Sequence, residues 1–279
     1  MWPRSRPGSI LSRTSWRSSS WIGPHWPPSQ AAALVGVYGL TWITIALGAS
    51  ALLVLDPVWK QVRATAATAM IATLAGLYGL GSWHLHTAPK LEASAPLLRL
   101  VQADIDQKEK WRAENLDMIF RTYVELSTRQ TGNLPQAIIW PEGALPVVIN
   151  DFLGPNSPYP DQLRSALKPG QTLMMGANRA ELGLEGRVRY FNSLLVLRPL
   201  PRGLQIDAVY DKHRLVPFGE FIPLGDIAGR IGLRSMVHMP EDFTAGAEPR
   251  PLDLVSLPSV QPLICYEALF PGFSRAAAR

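Results

Sequence analysis

Two long uncharged runs near the amino terminus restrict what this chain can fold into more than any other feature. Residues 31–55 and 64–83 contain no charged side chain, and as helices they would span roughly 37 Å and 30 Å. The hydrocarbon core of a bilayer is about 30 Å thick, so either run can cross it. We therefore predict two transmembrane helices, at about 31–55 and 64–86, within a membrane region 31–89. A pair of buried core helices is the alternative.

The charge of the chain is concentrated in its first residues. The net charge is +5, and residues 1–30 contribute four arginines and no acid, so the remainder is at +1. A nucleic-acid-binding face is therefore a poor explanation of the basic composition. We interpret residues 1–30 as an irregular basic segment, which is either a cytoplasmic tail or the non-native product of a wrong start or shifted reading frame.

Residues 97–279 have the alternating pattern of a layered α/β domain. Asp106 and Glu109 form a capping-box pattern, which predicts a helix from there to about residue 131. A second helix should contain residues 163–167. Strands are predicted at 97–103, 137–140, 172–177, 193–197, 206–210 and 262–266. One face of the long helix is apolar and should pack on the sheet: Leu116, Ile119, Phe120, Tyr123 and Leu126.

Three reactive side chains each follow a short apolar strand. Glu142 comes after residues 137–140 and a proline, in a setting that suits a general base. Lys212 follows the fifth predicted strand, where a fixed ammonium could stabilise an oxyanion. Cys265, the chain's single cysteine, ends the last predicted strand. Taken singly, each has an ordinary interpretation: a solvated glutamate, a surface charge and a small buried hydrophobe.

Together these segments resemble the nitrilase superfamily, and with the membrane helices they resemble its membrane branch, the apolipoprotein N-acyltransferases. The matching stretches are LVQADIDQKEKW at 100–111, IIWPEGALP at 138–146, YDKHRLVPFGEFIPL at 210–224 and PLICYEALFPG at 262–272. The resemblance implies an α/β fold: a nitrilase-like α-β-β-α sandwich, with its C-terminal part missing, preceded by two transmembrane helices.

The resemblance also implies a catalytic triad. Glu142 would take the thiol proton, and Cys265 would attack a phospholipid ester to give a thioester and a lysophospholipid. Lys212 would stabilise the oxyanion. The amino group of an apolipoprotein's diacylglyceryl-cysteine would then accept the acyl chain.

Four further residues match positions that matter in this family. Glu220 resembles its second essential glutamate, and Tyr266 and Glu267 flank the nucleophile as supporting residues. Trp111 matches a tryptophan near the substrate entrance and is the substrate-binding candidate. Packing of Trp111 on the core is the alternative.

The implied partners are a lipid, a lipid-modified protein and a membrane. They are a phospholipid donor such as phosphatidylethanolamine, an apolipoprotein acceptor and the bacterial inner membrane, with the catalytic domain on the periplasmic side. No cofactor and no nucleic acid are implied. No metal site is predicted, because the pair His84 and His86 has no third ligand in the sequence pattern.

Family members have more membrane helices and continue well past the cysteine. We therefore interpret the chain as an internal fragment, and we expect it to lack activity as given. Two other functions stay open. One is a membrane-anchored carbon–nitrogen hydrolase, in which water replaces the amine acceptor. The other is an inactive, truncated remnant that only binds.

Overall fold

The computed structural model describes residues 26–55, 60–89, 94–130, 132–183, 186–222, 242–270 and 272–274. The chain divides into two compact units, with the boundary between residues 93 and 94. The arginines of the basic amino-terminal segment lie outside the described residues.

The first unit contains two long apolar helices, α1 (Ala32–Leu55) and α2 (Lys60–Thr87). Both are long and apolar enough to cross a membrane, and only 6% and 11% of their most apolar 18-residue stretches are buried. A core helix of a soluble protein would be mostly buried, so this exposure argues against that alternative.

The boundaries of the first unit differ from the prediction at two places. A 3₁₀ turn at Pro27–Ala31 precedes α1, although residues 1–30 were predicted to be irregular. Prolines are compatible with the start of a helical turn because their missing N–H has no partner to lose there. The helix α2 begins at Lys60, before the predicted start at residue 64, so this lysine and Arg63 are helical. Both residue types have high helix propensity.

The second unit is built on a mixed sheet of five strands in the order β1-β2-β3-β4-β5. The first three strands are parallel, and β3, β4 and β5 are antiparallel neighbours. The strands are β1 (Leu98–Leu100), β2 (Ala137–Trp140), β3 (Thr172–Leu182), β4 (Val188–Pro199) and β5 (Leu204–Asp211); a separate hairpin comprises β6 (Leu252–Leu254) and β7 (Leu257–Val260).

The predicted long helix is divided in two. The structure has α3 (Gln107–Lys110), a 3₁₀ turn at Ala113–Asn115, and α4 (Leu116–Thr128). Asp106 caps α3 as predicted, accepting a hydrogen bond from the Lys108 backbone N–H at 2.8 Å. Asn115 ends α3, because its side-chain amide donates to the Glu109 carbonyl oxygen at 2.7 Å and replaces the helical bond. Two further helices follow, α5 (Ile149–Phe152) and α6 (Tyr159–Ala166).

The strand prediction is confirmed in the centre of the sheet and wrong at its ends. Strand β2 has the predicted bounds, whereas β1 is shorter and β3, β4 and β5 are longer than predicted. No strand forms at residues 262–266. Instead Ile264 is extended and a 3₁₀ turn runs over Cys265–Leu269, because the backbone turns into a left-handed conformation at Cys265. The hairpin β6–β7 was not predicted.

The core lies between the helices and one face of the five-stranded sheet. The predicted helix face is confirmed, with Ile119, Phe120 and Tyr123 of α4 buried in this core. The Phe120 ring makes edge-to-face contacts with Phe152 and Tyr159, at centroid distances of 5.5 and 5.1 Å. These contacts fix α4 against α5 and α6, and a further edge-to-face contact between Phe120 and Trp140, at 6.4 Å, joins α4 to the strand that leads to Glu142.

We expect Phe120→Ala to lower the free energy of unfolding of the second unit by about 3–5 kcal/mol, since it leaves a cavity among aromatic rings. Urea unfolding of the full chain in detergent, followed by tryptophan fluorescence, measures this loss. Met118 lies on the same helix and is 48% exposed, so Met118→Ala is the control and should change stability by less than about 0.5 kcal/mol. Equal losses in the two variants would contradict this description of the core.

Candidate active site

The sheet topology brings the predicted strand-end residues to one edge. Strands β2 and β5 run in the same direction, so Glu142 and Lys212 leave the sheet at the same end. The strand β3 lies between the Glu142 loop and β4. A β-carbon on Gly176 of β3 would be 2.5 Å from the Glu142 Cα, so only glycine lets this loop lie across the strand. This close approach directs Glu142 towards β4.

Lys212 lies between two carboxylates. Its side chain is 1% exposed, and its Nζ atom is 2.8 Å from Glu220 Oε1 and 3.5 Å from Glu142 Oε1. Burial lowers the pKa of Lys212, but the hydrogen bond to Glu220 and the charges of both glutamates outweigh burial and raise the pKa above its usual value. The ammonium therefore stays charged at neutral pH.

Glu220 also holds the loop that follows Lys212. Its second oxygen, Oε2, accepts a hydrogen bond from the Val216 backbone N–H at 2.9 Å. The Glu220 backbone oxygen accepts another from Phe243 N–H at 2.9 Å. One carboxylate thus connects the lysine to the fold of its own loop.

Cys265 is the first residue of the 3₁₀ turn and has a φ of +51°. This left-handed conformation is unusual for a residue with a side chain and occurs often at functional sites. The thiol is exposed. The pKa of Cys265 is raised by partial burial of the sulfur, by the charge of Glu142 and by a hydrogen bond to Glu142. The charge of Lys212 and the Tyr266 backbone N–H oppose this shift. The thiol is therefore neutral at rest and lies beside a carboxylate that can take its proton.

Glu267 connects this turn to the lysine loop. Its side chain is fully buried. One oxygen accepts hydrogen bonds from the Tyr210 hydroxyl at 2.7 Å and from the backbone N–H groups of His213 and Arg214 at 2.8 and 3.0 Å. The other accepts from Ile264 N–H at 2.8 Å. Burial, with the hydrogen bond and charge of Glu267, strongly raises the pKa of Tyr210, which remains a donor.

Two further residues predicted for the site, Tyr266 and Trp111, lie near these carboxylates and Cys265. Tyr266 is 41% exposed, and its ring contacts Phe270 edge to face. Trp111 lines a cavity of about 300 Å³ together with Glu142 and Glu220. The position of Trp111 on a cavity is compatible with its proposed role in substrate binding.

The sequence analysis did not identify Asn192 and Lys110 as residues of this site. Asn192 donates hydrogen bonds to both Glu142 and Glu220. Lys110 lines the same cavity. Burial lowers its pKa, and the charge of Glu142 opposes that shift. An asparagine inside the apolar strand FNSLLVL was the available signal for Asn192, whereas nothing in the local pattern distinguishes Lys110. Within the described residues, no group of three or more histidine, cysteine, aspartate or glutamate side chains could hold a metal ion.

Comparison with known proteins identifies relatives of one kind. The chain is 43% identical over 251 residues to the apolipoprotein N-acyltransferase of Caulobacter vibrioides, an alignment that covers 89% of this chain and 46% of that protein. The identity to the proteins of the same name from Rhizobium etli and Bradyrhizobium diazoefficiens is 34% and 32%, with 87% and 88% of this chain covered. No protein-family model matches the chain.

The chain has a mixed α/β domain that follows two apolar helices, and its relatives are apolipoprotein N-acyltransferases. These features define a nitrilase-like protein with membrane helices. Over the aligned region, the chain is homologous to apolipoprotein N-acyltransferases. It spans less than half the length of the curated relatives it matches, 46% of the Caulobacter protein and 45% of the Rhizobium etli protein.

We expect Glu142→Gln to lower the pKa of the Cys265 thiol, because it removes the negative charge that favours the protonated form. Alkylation of this single cysteine by iodoacetamide, measured by mass spectrometry at several pH values, should then be faster at neutral pH than in the parent chain. Glu125→Gln on the exposed side of α4 is the control and should leave the rate unchanged. A slower reaction in Glu142→Gln would contradict the proximity of this carboxylate to the thiol.

Proposed function

We propose that this chain carries the acyl-transfer site of an apolipoprotein N-acyltransferase, with Cys265 as nucleophile, Glu142 as general base and Lys212 as oxyanion stabiliser. The observation that supports this most is that Lys212 Nζ lies 3.5 Å from Glu142 Oε1 and that the charges of both residues act on the pKa of Cys265, although the three residues lie more than fifty residues apart in sequence. The names of the relatives support the same reaction class.

The first half-reaction forms a thioester. Glu142 accepts the thiol proton as the Cys265 sulfur attacks the ester carbonyl of a phospholipid, for which phosphatidylethanolamine is our candidate. The carbon–oxygen bond then breaks, the proton passes from Glu142 to the leaving oxygen, and a lysophospholipid departs. Because the resting thiol is neutral, proton removal accompanies the attack and no thiolate has to form beforehand.

Charge develops on the carbonyl oxygen during this attack. The buried Lys212 ammonium is already charged and is held by Glu220, so it needs no reorganisation to stabilise the oxyanion. The Tyr266 backbone N–H, which points towards the Cys265 sulfur, is the second candidate donor. Glu267 acts indirectly in this scheme, because it fixes the backbone on either side of both reactive residues.

The second half-reaction transfers the acyl chain to nitrogen. The amino group of an apolipoprotein's diacylglyceryl-cysteine attacks the thioester, and Glu142 takes a proton from the amine. The carbon–sulfur bond then breaks, and Glu142 returns this proton to the sulfur to restore the thiol. The cavity beside Glu142, lined by Trp111, is where we place one of the substrates. Exclusion of water from this cavity would protect the thioester from hydrolysis.

We also propose a location for this reaction. Both substrates are lipids, and two helices of the same chain can cross a bilayer. We place the protein in the bacterial inner membrane as a multi-pass protein, with residues 97–279 as a catalytic domain on the periplasmic side.

The proposal predicts a covalent acyl adduct on Cys265. The full chain is incubated in detergent with phosphatidylethanolamine, and mass spectrometry of the peptide that contains Cys265 should show an added acyl chain that hydroxylamine removes. Cys265→Ala should give no adduct, and Lys212→Met should reduce adduct formation by about a hundredfold or more through loss of oxyanion stabilisation.

A second stage distinguishes transfer from hydrolysis. Addition of a diacylglyceryl-cysteine peptide should discharge the adduct with formation of an N-acylated peptide. Discharge by water at the same rate, with or without this peptide, would favour the carbon–nitrogen hydrolase. Absence of any adduct from the folded chain would contradict the proposed activity for this molecule and would agree with the expectation from the sequence that the chain lacks activity as given.

A further inference from the structure

Asn192 occupies the centre of the charged cluster. Its side chain projects from β4, and the residue is 5% exposed. The amide nitrogen Nδ2 lies 2.6 Å from Glu142 Oε1 and 2.8 Å from Glu220 Oε1. A primary amide has two hydrogens, so one nitrogen can donate to both carboxylates at the same time.

The surroundings fix the orientation of this amide. In the reverse orientation the Asn192 carbonyl oxygen would face two carboxylate oxygens, and none of these atoms could donate. In the observed orientation the Oδ1 atom is buried without a hydrogen-bond partner among the described atoms. A buried acceptor without a partner is unfavourable, so the two bonds to charged carboxylates are what maintain this arrangement.

Two neighbouring carboxylates repel each other, so donors are needed to hold their oxygens close together. The groups that face this pair are the Lys212 ammonium, the Lys110 ammonium on the Glu142 side, and the neutral Cys265 thiol. Only Lys212 is within ion-pair distance of both carboxylates among the described residues. Asn192 supplies a second set of hydrogens to the same two oxygens without adding charge.

We propose that Asn192 is a positioning residue that holds the carboxylates of Glu142 and Glu220 side by side, so that Glu142 stays in place as the base for Cys265. The role of Glu142 as the base rests on the proposed function. Asn192 itself does not touch the reacting atoms. It acts through the two hydrogen bonds that it donates to the carboxylates.

The test is a direct titration of the two carboxylates. The full chain, with glutamate ¹³C-labelled at the side-chain carboxyl, is followed by NMR in detergent from acid to neutral pH, and Glu142→Gln and Glu220→Gln assign the two signals. In Asn192→Ala we expect proton uptake by one of the two carboxylates to begin about one pH unit nearer to neutrality, a tenfold change in its ionisation equilibrium.

A second variant preserves the shape of the side chain. Asn192→Asp is nearly isosteric but replaces both hydrogens with an acceptor, so three carboxylates meet and the shift should exceed that of Asn192→Ala. This variant keeps the test valid if the alanine substitution impairs folding.

The control is the adjacent residue on the opposite face of β4. Ser193 is fully buried and donates to Asp211 Oδ1 at 2.5 Å, so Ser193→Ala also removes one buried polar contact from this strand. Its titration should coincide with that of the parent chain. Unchanged titrations in both Asn192 variants, or an equal shift in Ser193→Ala, would overturn the proposal. Because no lipid is present, this result is independent of whether acyl transfer occurs.

Discussion

The buried ammonium of Lys212 is the interaction on which the rest of the site depends. A lysine with 1% exposure is stable only if its charge is compensated, and here the carboxylates of Glu220 and Glu142 compensate it. That requirement brings together a loop after β2 and a loop after β5. Burial, followed by the charge of Glu142, raises the pKa of the neighbouring Cys265 thiol, which therefore stays protonated.

The position of Cys265 depends on a second buried carboxylate. Glu267 accepts four hydrogen bonds from three parts of the chain, namely the Tyr210 side chain, the backbone after Lys212 and the backbone before Cys265. The thiol is therefore held on the same framework as the ammonium. Such rigidity suits a reaction in which a base, a nucleophile and an oxyanion donor must act together on one carbonyl group.

Sequence reasoning selected Glu142, Lys212 and Cys265 as candidates because each follows an apolar stretch of sequence and lies in a family motif. The strand β2 was predicted with its observed bounds. Sequence reasoning failed where tertiary contacts override local pattern. The helix after Asp106 breaks because Asn115 caps the Glu109 carbonyl, and the segment before Cys265 turns because Glu267 binds Ile264 N–H. Asn192 escaped notice for the same reason, since only the sheet register shows that an asparagine in β4 meets glutamates from two distant loops.

The central claim is that the Cys265 thiol rests neutral beside the carboxyl group of Glu142. Because the chain has a single cysteine, infrared spectroscopy of its S–H stretching band tests this directly. We predict one S–H band at neutral pH, absent in Cys265→Ser, whose frequency changes in Glu142→Gln because the hydrogen-bond acceptor is altered. Absence of the band from the parent chain at neutral pH would show a thiolate paired with Lys212 and would contradict general-base activation by Glu142.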